Sequence, residues 1–322
     1  MANQKHVEIL QKGVTYWNRW RSDEPYVKPN LSESNLIDLD LTSANLNQTN
    51  LRKADLRRSV LTKAILTKAD LRNSHMREAH LGEAVMTDAK ISGANLMGAH
   101  MKKAILDGAD LRRTNLTRAD LHEAHLIDAD ISDANLSNAQ LFYSKLKNAR
   151  LRGANMMDSV LGISDLSFAD FTLANITGAK LYGSIRDDWK IDGVKCDYIY
   201  WDIKGLRRTP RDRNFKPGEF EHRYKTLPVI EYVFENGFTM LSAVVMERVV
   251  KHIKEQEPEF ELNLERIEFR GKPRAVFSLL QNNHREKALK WIDELFKKQA
   301  EQIREGNDKI AGYFSGFHLE DN

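Results

Sequence analysis

From Leu31 to Leu181 every fifth residue is Leu, Ile, Met or Phe, an unbroken run of 31 positions of which 23 are Leu. Neither the 3.6-residue period of a helix nor the alternation of a strand produces that spacing. A second column runs two residues ahead of the first. Of its 30 sites from Ser34 to Ala179, 21 are Ala, six Ser, two Thr and one, Leu39, is large. The unit therefore reads Ala-(Asp/Asn)-Leu-x-x, as in Ala44-Asn45-Leu46, Ala69-Asp70-Leu71 and Ala119-Asp120-Leu121. One large and one small apolar residue per five can both point inward only in a narrow tube, and the remaining polar residues must face water. Such a unit has no core alone and gains one by stacking on its neighbours. The pattern predicts a solenoid, which offers flat faces in place of a cleft.

The flanks follow other patterns. In residues 1–30, Val7, Leu10, Val14 and Trp17 share one face of an amphipathic helix that Trp20 continues. Pro25 and Pro29 then force an extended entry into the first coil. At the far end Arg186 breaks the inward column. Trp189, Ile191, Val194, Cys196, Ile199 and Trp201 then keep the phase with bulky side chains, predicting a distorted last coil that plugs the open end. Residues 204–217, with Arg207-Arg208-Thr209-Pro210-Arg211-Asp212-Arg213, read as a basic linker, 218–306 as an α+β domain and 307–322 as a tail. Within that domain Leu227 to Phe234 and Leu241 to Ile253 carry helical spacing, broken at Asn236-Gly237. Phe260, Leu262 and Leu264 alternate, then Ile267 and Phe269 shift phase by one, which predicts a bulge. Gly271-Lys272-Pro273 turns the chain into a hairpin partner over Ala275 to Leu279. Asn283 and Glu286 form a capping box for a final helix lined by Ala288, Trp291, Ile292, Leu295, Phe296 and Ile303.

The repeat, with Trp17-Asn18-Arg19-Trp20 and Pro29-Asn30-Leu31 ahead of it, resembles the pentapeptide repeat proteins over roughly residues 31–203. The resemblance implies a right-handed quadrilateral β-helix with four five-residue faces per coil. It implies about eight coils, a rod of roughly 38 Å at ~4.8 Å per coil. The expected fold class is mainly β: this β-helix, followed by a small α+β domain. The stack follows from the period, whereas the four sides and the hand come from the resemblance.

Chemistry is sparse. No phosphate-binding glycine loop, hydrolase nucleophile motif or zinc-protease motif occurs, and the only cysteine, Cys196, falls on an inward position. His80, His100 and Asp120 share a column, and polar residues in an exposed column account for them more simply than a metal site does. His222 beside Glu219 and Glu221 reads as a solvated helix face. No enzyme, cofactor or metal is expected. The start Met-Ala-Asn-Gln-Lys-His has no signal-peptide core, and no apolar run is long enough to span a bilayer. With a single cysteine, these features predict a cytoplasmic protein without a membrane partner.

The outward columns say more. Asn95, Asn115, Asn135, Asn155 and Asn175 stack as a structural ladder. Ile65, Val85 and Ile105 instead place apolar residues where Asp or Asn is the norm, a stripe suited to a protein partner, a second copy or the C-terminal domain, with a β-branched ladder that stabilises the sheet as the plainer alternative. Phe142, Tyr143, Ile163, Phe168 and Tyr182, with Leu173, are exposed late in the repeat and are assigned to docking of the C-terminal domain. Arg52, Arg57, Arg58, Arg72 and Arg77 make the early coils basic, which fits phosphate tracking, although no aromatic residue interleaves them. With 49 basic and 46 acidic residues the net charge is only +3. Nucleic acid is therefore the disfavoured partner. Some family members mimic DNA toward type II topoisomerases such as gyrase, which requires a strongly acidic face, whereas this chain has more bases than acids and positive early coils. The reading is a non-enzymatic protein–protein interaction scaffold, with a nucleic-acid-associated protein or gyrase modulator as the alternative.

Overall fold

The computed structural model describes residues 1–202, 204–225, 229–235, 237, 239–256, 262–268, 272–278 and 285–305. Two compact units divide the chain, Met1–Lys225 and Thr226–Asn322.

In the first unit the five-residue period is the length of one flat face. Each face contributes one parallel bridge to the residue 20 positions on, from Asn30↔Asn50 to Lys180↔Tyr200, so four faces close a coil. At Asp70 the N–H reaches Thr49 in the preceding coil at 2.9 Å, while Leu71 N–H reaches Lys90 in the next at 2.7 Å. Between faces the chain turns with a hydrogen bond such as Ala69 N–H to Leu66 C=O, 3.0 Å. The residue before the small one adopts a left-handed conformation, as at Lys53 and Arg58 (φ 57° each). Faces are numbered here by their bridging residues: face one carries Asn50 and Asp70, face two Asp55 and His75, face three Val60 and His80, face four Ile65 and Val85.

The inward column is buried throughout, from Leu31 to Leu181. In the small column, Ser34, Ser59, Thr114, Ser144, Ser159 and Ser184 satisfy their hydroxyls by donating to the carbonyl three residues back, at 2.6–2.8 Å.

The N-terminal cap is two helices where the apolar spacing predicts one. Gly13 (φ 104°) separates α1 (Gln4–Gln11) from α2 (Val14–Asp23). Their side chains stand where a preceding coil would be. On face one, Asn30 N–H donates to His6 Nδ1 (3.0 Å) and Asn30 C=O accepts from Asn3 N–H (2.9 Å). On face four, Asn45 N–H donates to Asn18 Oδ1 (2.7 Å) and Asn45 C=O accepts from Trp17 Nε1 (2.8 Å). Arg21, itself buried, adds Nη2 to Asn47 C=O at 3.0 Å. An otherwise open strand edge is thereby blunted.

The other end is plugged as expected, and by more residues than expected. Trp189, Ile191, Val194, Cys196 and Ile199 are buried, joined by Phe215 and Phe220 from the segment beyond. Strand β1 (Ile199–Tyr200) pairs antiparallel with β2 (Arg208–Thr209), and Trp189 meets Phe220 edge-on at 6.2 Å. The expected linker 204–217 is thus folded onto the last coil. Arg208 lies over Tyr198 at 4.4 Å and donates to Arg213 C=O. Helix α3 (Glu219–Tyr224) belongs to this unit too, so it extends to Lys225 and past the expected boundary at 218.

In the second unit, β3 (Val229–Val233) replaces the helix predicted over Leu227 to Phe234. Five consecutive residues pair it with β5 (Arg274–Ser278), and ladder bonds outweigh a short stretch of helical spacing. Helix α4 (Met240–Gln256) matches prediction. Strand β4 (Asn263–Glu268) is antiparallel to β5 in the order β3-β5-β4, with the predicted irregularity between Leu264 and Arg266. Helix α5 (Arg285–Glu305) completes the unit, whose core includes Phe234, Val249, Ile253, Phe277 and Ile292. Leu227, Asn236, Phe260, Phe269, Gly271, Leu279, Asn283 of the capping box and the tail 307–322 lie outside the described residues.

Candidate functional site

At the bridging position of a face, Asp and Asn have a local task. Their Oδ1 accepts the N–H two residues on, as Asn95 does from Met97 (3.1 Å) and Asp170 from Thr172 (2.9 Å). This Asx turn steadies the corner. Face four gives it up at Ile65, Val85 and Ile105, which bridge one another in succession. Ile65 is 42% exposed, and Val85 and Ile105 are half-buried. β-Branched side chains suit a strand, so the column is an apolar ladder on the outer surface. The next bridging residue is His125, and Ile127 stands one column over.

The basic coils are mostly neutralised. Arg58 Nε and Nη2 bind Asp38 at 2.8 and 2.7 Å, and Arg57 binds Asp55 at 2.8 and 2.6 Å. Arg72 grips Asp70 in the same forked way at 2.8 and 2.5 Å, and Arg77 meets Glu78 at 3.1 Å. Hydrogen bonds from Arg58 and Arg57 hold the Asp38 and Asp55 carboxyls below the usual carboxylate range. Among the described residues, Arg52 alone of the five has no carboxylate partner. The positive charge of the other four is thus committed to carboxylates one coil, two residues or one residue away.

Phe142 and Tyr182, two coils apart on face three, lean together over Gly162, with ring centroids 5.9 Å apart. A Cβ on Gly162 would fall 2.6 Å from Tyr182 and 2.9 Å from Phe142, so the glycine makes this pairing possible. Tyr143 packs edge-on against Phe142 at 4.4 Å and is 53% exposed. Tyr143 and Ile163 occupy left-handed corner positions (φ 59° and 54°), which a β-branched residue such as Ile163 rarely adopts. Phe168 lies one corner further, beneath Lys147 at 5.8 Å, and Leu173 a further corner on. The structure therefore groups Phe142, Tyr143, Ile163 and Tyr182 and separates Phe168 and Leu173 from them.

His80 and His100 stack at 4.8 Å, and His122 Nδ1 lies 2.5 Å from Asp120 Oδ1. Among the described residues no cluster of ligating side chains could hold a metal ion. The carboxylates near His222 are otherwise engaged. Arg213 draws Glu219 down to about 2, and Glu221 accepts from Gly193 N–H at 2.7 Å and pairs with Lys225. Burial pushes the Cys196 thiol well above its ordinary range, which keeps it unreactive. No helix among the described residues is long and apolar enough to cross a membrane. Sequence reasoning missed the cap contacts of Asn3, His6 and Asn18, since nothing in their spacing marks an imitation coil.

The sequence matches the family model described as pentapeptide repeats, in eight copies over residues 30–62, 64–102, 94–133 and 119–158. Among solved structures it is similar to HetL, a pentapeptide repeat protein involved in heterocyst differentiation regulation from the cyanobacterium Nostoc sp. strain PCC 7120. HetL is 32% identical over 52% of this chain and 78% of its own, with a TM-score of 0.36. A pentapeptide repeat protein from the Arabidopsis thaliana thylakoid lumen is 33% identical over 32% of this chain and 61% of its own (TM-score 0.20). QnrB1, a plasmid-mediated fluoroquinolone resistance protein, is 20% identical over 51% of this chain and 90% of its own (TM-score 0.28). No curated protein matches.

Proposed function

Because the chain belongs to the pentapeptide repeat proteins, we propose that its coils, a right-handed quadrilateral β-helix as in that family, act as a non-enzymatic scaffold for a protein partner. The supporting observation is the Ile65–Val85–Ile105 ladder. It forgoes the corner-steadying Asx turn to place apolar side chains on water-facing positions. Exposed apolar stripes with polar surroundings are typical of contact surfaces. The Phe142–Tyr143–Ile163–Tyr182 group is a second contact surface on the same rod. The coil requires a left-handed corner at Ile163, and a β-branched residue there carries a cost of roughly 1–2 kcal/mol that Gly would avoid.

Nucleic-acid association is the weaker reading, since Arg57, Arg58, Arg72 and Arg77 already bind carboxylates. Breaking forked pairs to reach phosphate would offset much of the gain. Val85→Asp tests the scaffold reading. Partner capture should fall about tenfold or more, because a carboxylate would be desolvated at the contact, while circular dichroism stays that of the natural chain. Undiminished capture by a folded variant would refute the ladder's role.

A further inference from the structure

The ladder on face four is bordered by charge in register with its rungs. On one side, the corner residues entering face four are Lys63, Glu83, Lys103 and Glu123. On the other, those leaving it are Lys68, Asp88, Gly108 and Asp128. The Ile65 rung is therefore flanked by two cations and the Val85 rung by two anions. The Ile105 rung has one cation, and the His125 rung has two anions. Lys63–Glu83 and Lys103–Glu123 approach to 3.7 and 3.4 Å along the rod axis, Glu123 also meeting Lys102 at 3.4 Å, with all these side chains exposed. Exposed pairs of this kind contribute little and remain open to a third charge.

Rung spacing selects the partner's secondary structure. Coils repeat every ~4.8 Å, the separation that His80 and His100 show directly. A strand laid along the axis presents same-side residues every ~6.8 Å, about 2 Å out of step per rung. A helix rises ~5.4 Å per turn, and its i and i+7 side chains, about 10.5 Å apart, nearly match the ~9.6 Å from the first rung to the third. We infer that face four receives an amphipathic helix lying along the rod. Apolar residues at i, i+4 and i+7 of that helix meet Ile65, Val85 and Ile105, and its flanks run acidic, basic, acidic against the three rungs. This inference rests on the reading of face four as a contact face. Along the entering edge, where Lys63, Glu83 and Lys103 alternate in sign, either helix direction satisfies the pattern.

The test uses the full chain and two helix-stapled peptides of about 18 residues. They share the apolar spacing and differ only in flanking charge, one acidic–basic–acidic and the other its inverse. Fluorescence anisotropy should show the matched peptide binding at least about tenfold more tightly, with the gap shrinking at high salt. Val85→Asp should abolish the matched peptide's binding. Equal affinities, or binding unaffected by Val85→Asp, would overturn the inference. If neither peptide binds while Val85→Asp still loses its captured protein, the helical occupant is wrong and the contact face stands.

Discussion

Within the small column, the hydroxyls at Ser74 and Thr49 are buried with no hydrogen-bond partner, unlike that of Ser59, which donates to Leu56 C=O at 2.7 Å. A buried hydroxyl with no partner keeps its desolvation cost and returns nothing. Ser74→Ala is therefore expected to stabilise the rod by about 1 kcal/mol and Ser59→Ala to destabilise it by a similar amount. The two urea midpoints should move in opposite directions, and parallel shifts would refute the assignment. The sequence marks both residues as small and inward, which is correct. It cannot separate them, because the difference lies in how each hydroxyl rotates against the carbonyl three residues back. Gly162 is a similar case. Its composition is unremarkable, and its role emerges only when Phe142 and Tyr182 are seen closing over it.

Among the elements, the cap carries a pH dependence. Burial, with Lys5 and Arg21 adding to it, lowers the His6 pKa in the folded chain. Its Nδ1 must also stay unprotonated to accept the Asn30 N–H. The unfolded chain takes up the proton near pH 6.5, before the folded one does, so the cap is fully stable above that value. It weakens as pH falls from there toward the lowered folded value. Amide protection at Val7 and Leu10, corrected for intrinsic exchange, should drop between about pH 7.5 and about pH 5.5 in the natural chain. In His6→Gln that drop should vanish, and its persistence would place the titrating group elsewhere. Apolar spacing located the cap but could not see the break at Gly13, because Val14 and Trp17 stay in phase across it. It likewise misread Val229–Val233, where pairing with Arg274–Ser278 decides the conformation.

For the rod as a whole, the period alone identified a stacked solenoid, and the inward column from Leu31 to Leu181 is buried as the pattern requires. The Ile65–Val85–Ile105 stripe was legible because residues 20 apart stand in one column once the coil length is known. The neutralised arginines were not. Arg58 finds Asp38 one coil away, while Arg57 and Arg72 fold back on residues two positions earlier, and a count of charges registers neither. Four of the five arginines that look like a basic stripe in the sequence thus stand in ion pairs, and the apolar ladder stands out beside them. The most direct measurement is affinity capture from a nuclease-treated native lysate. The natural chain would run beside one bearing Ile65→Asp, Val85→Asp and Ile105→Asp together. A protein retained by the natural chain and lost from the folded triple variant is the expected result. The same proteins on both, or retention that appears only when nuclease is omitted, would contradict it.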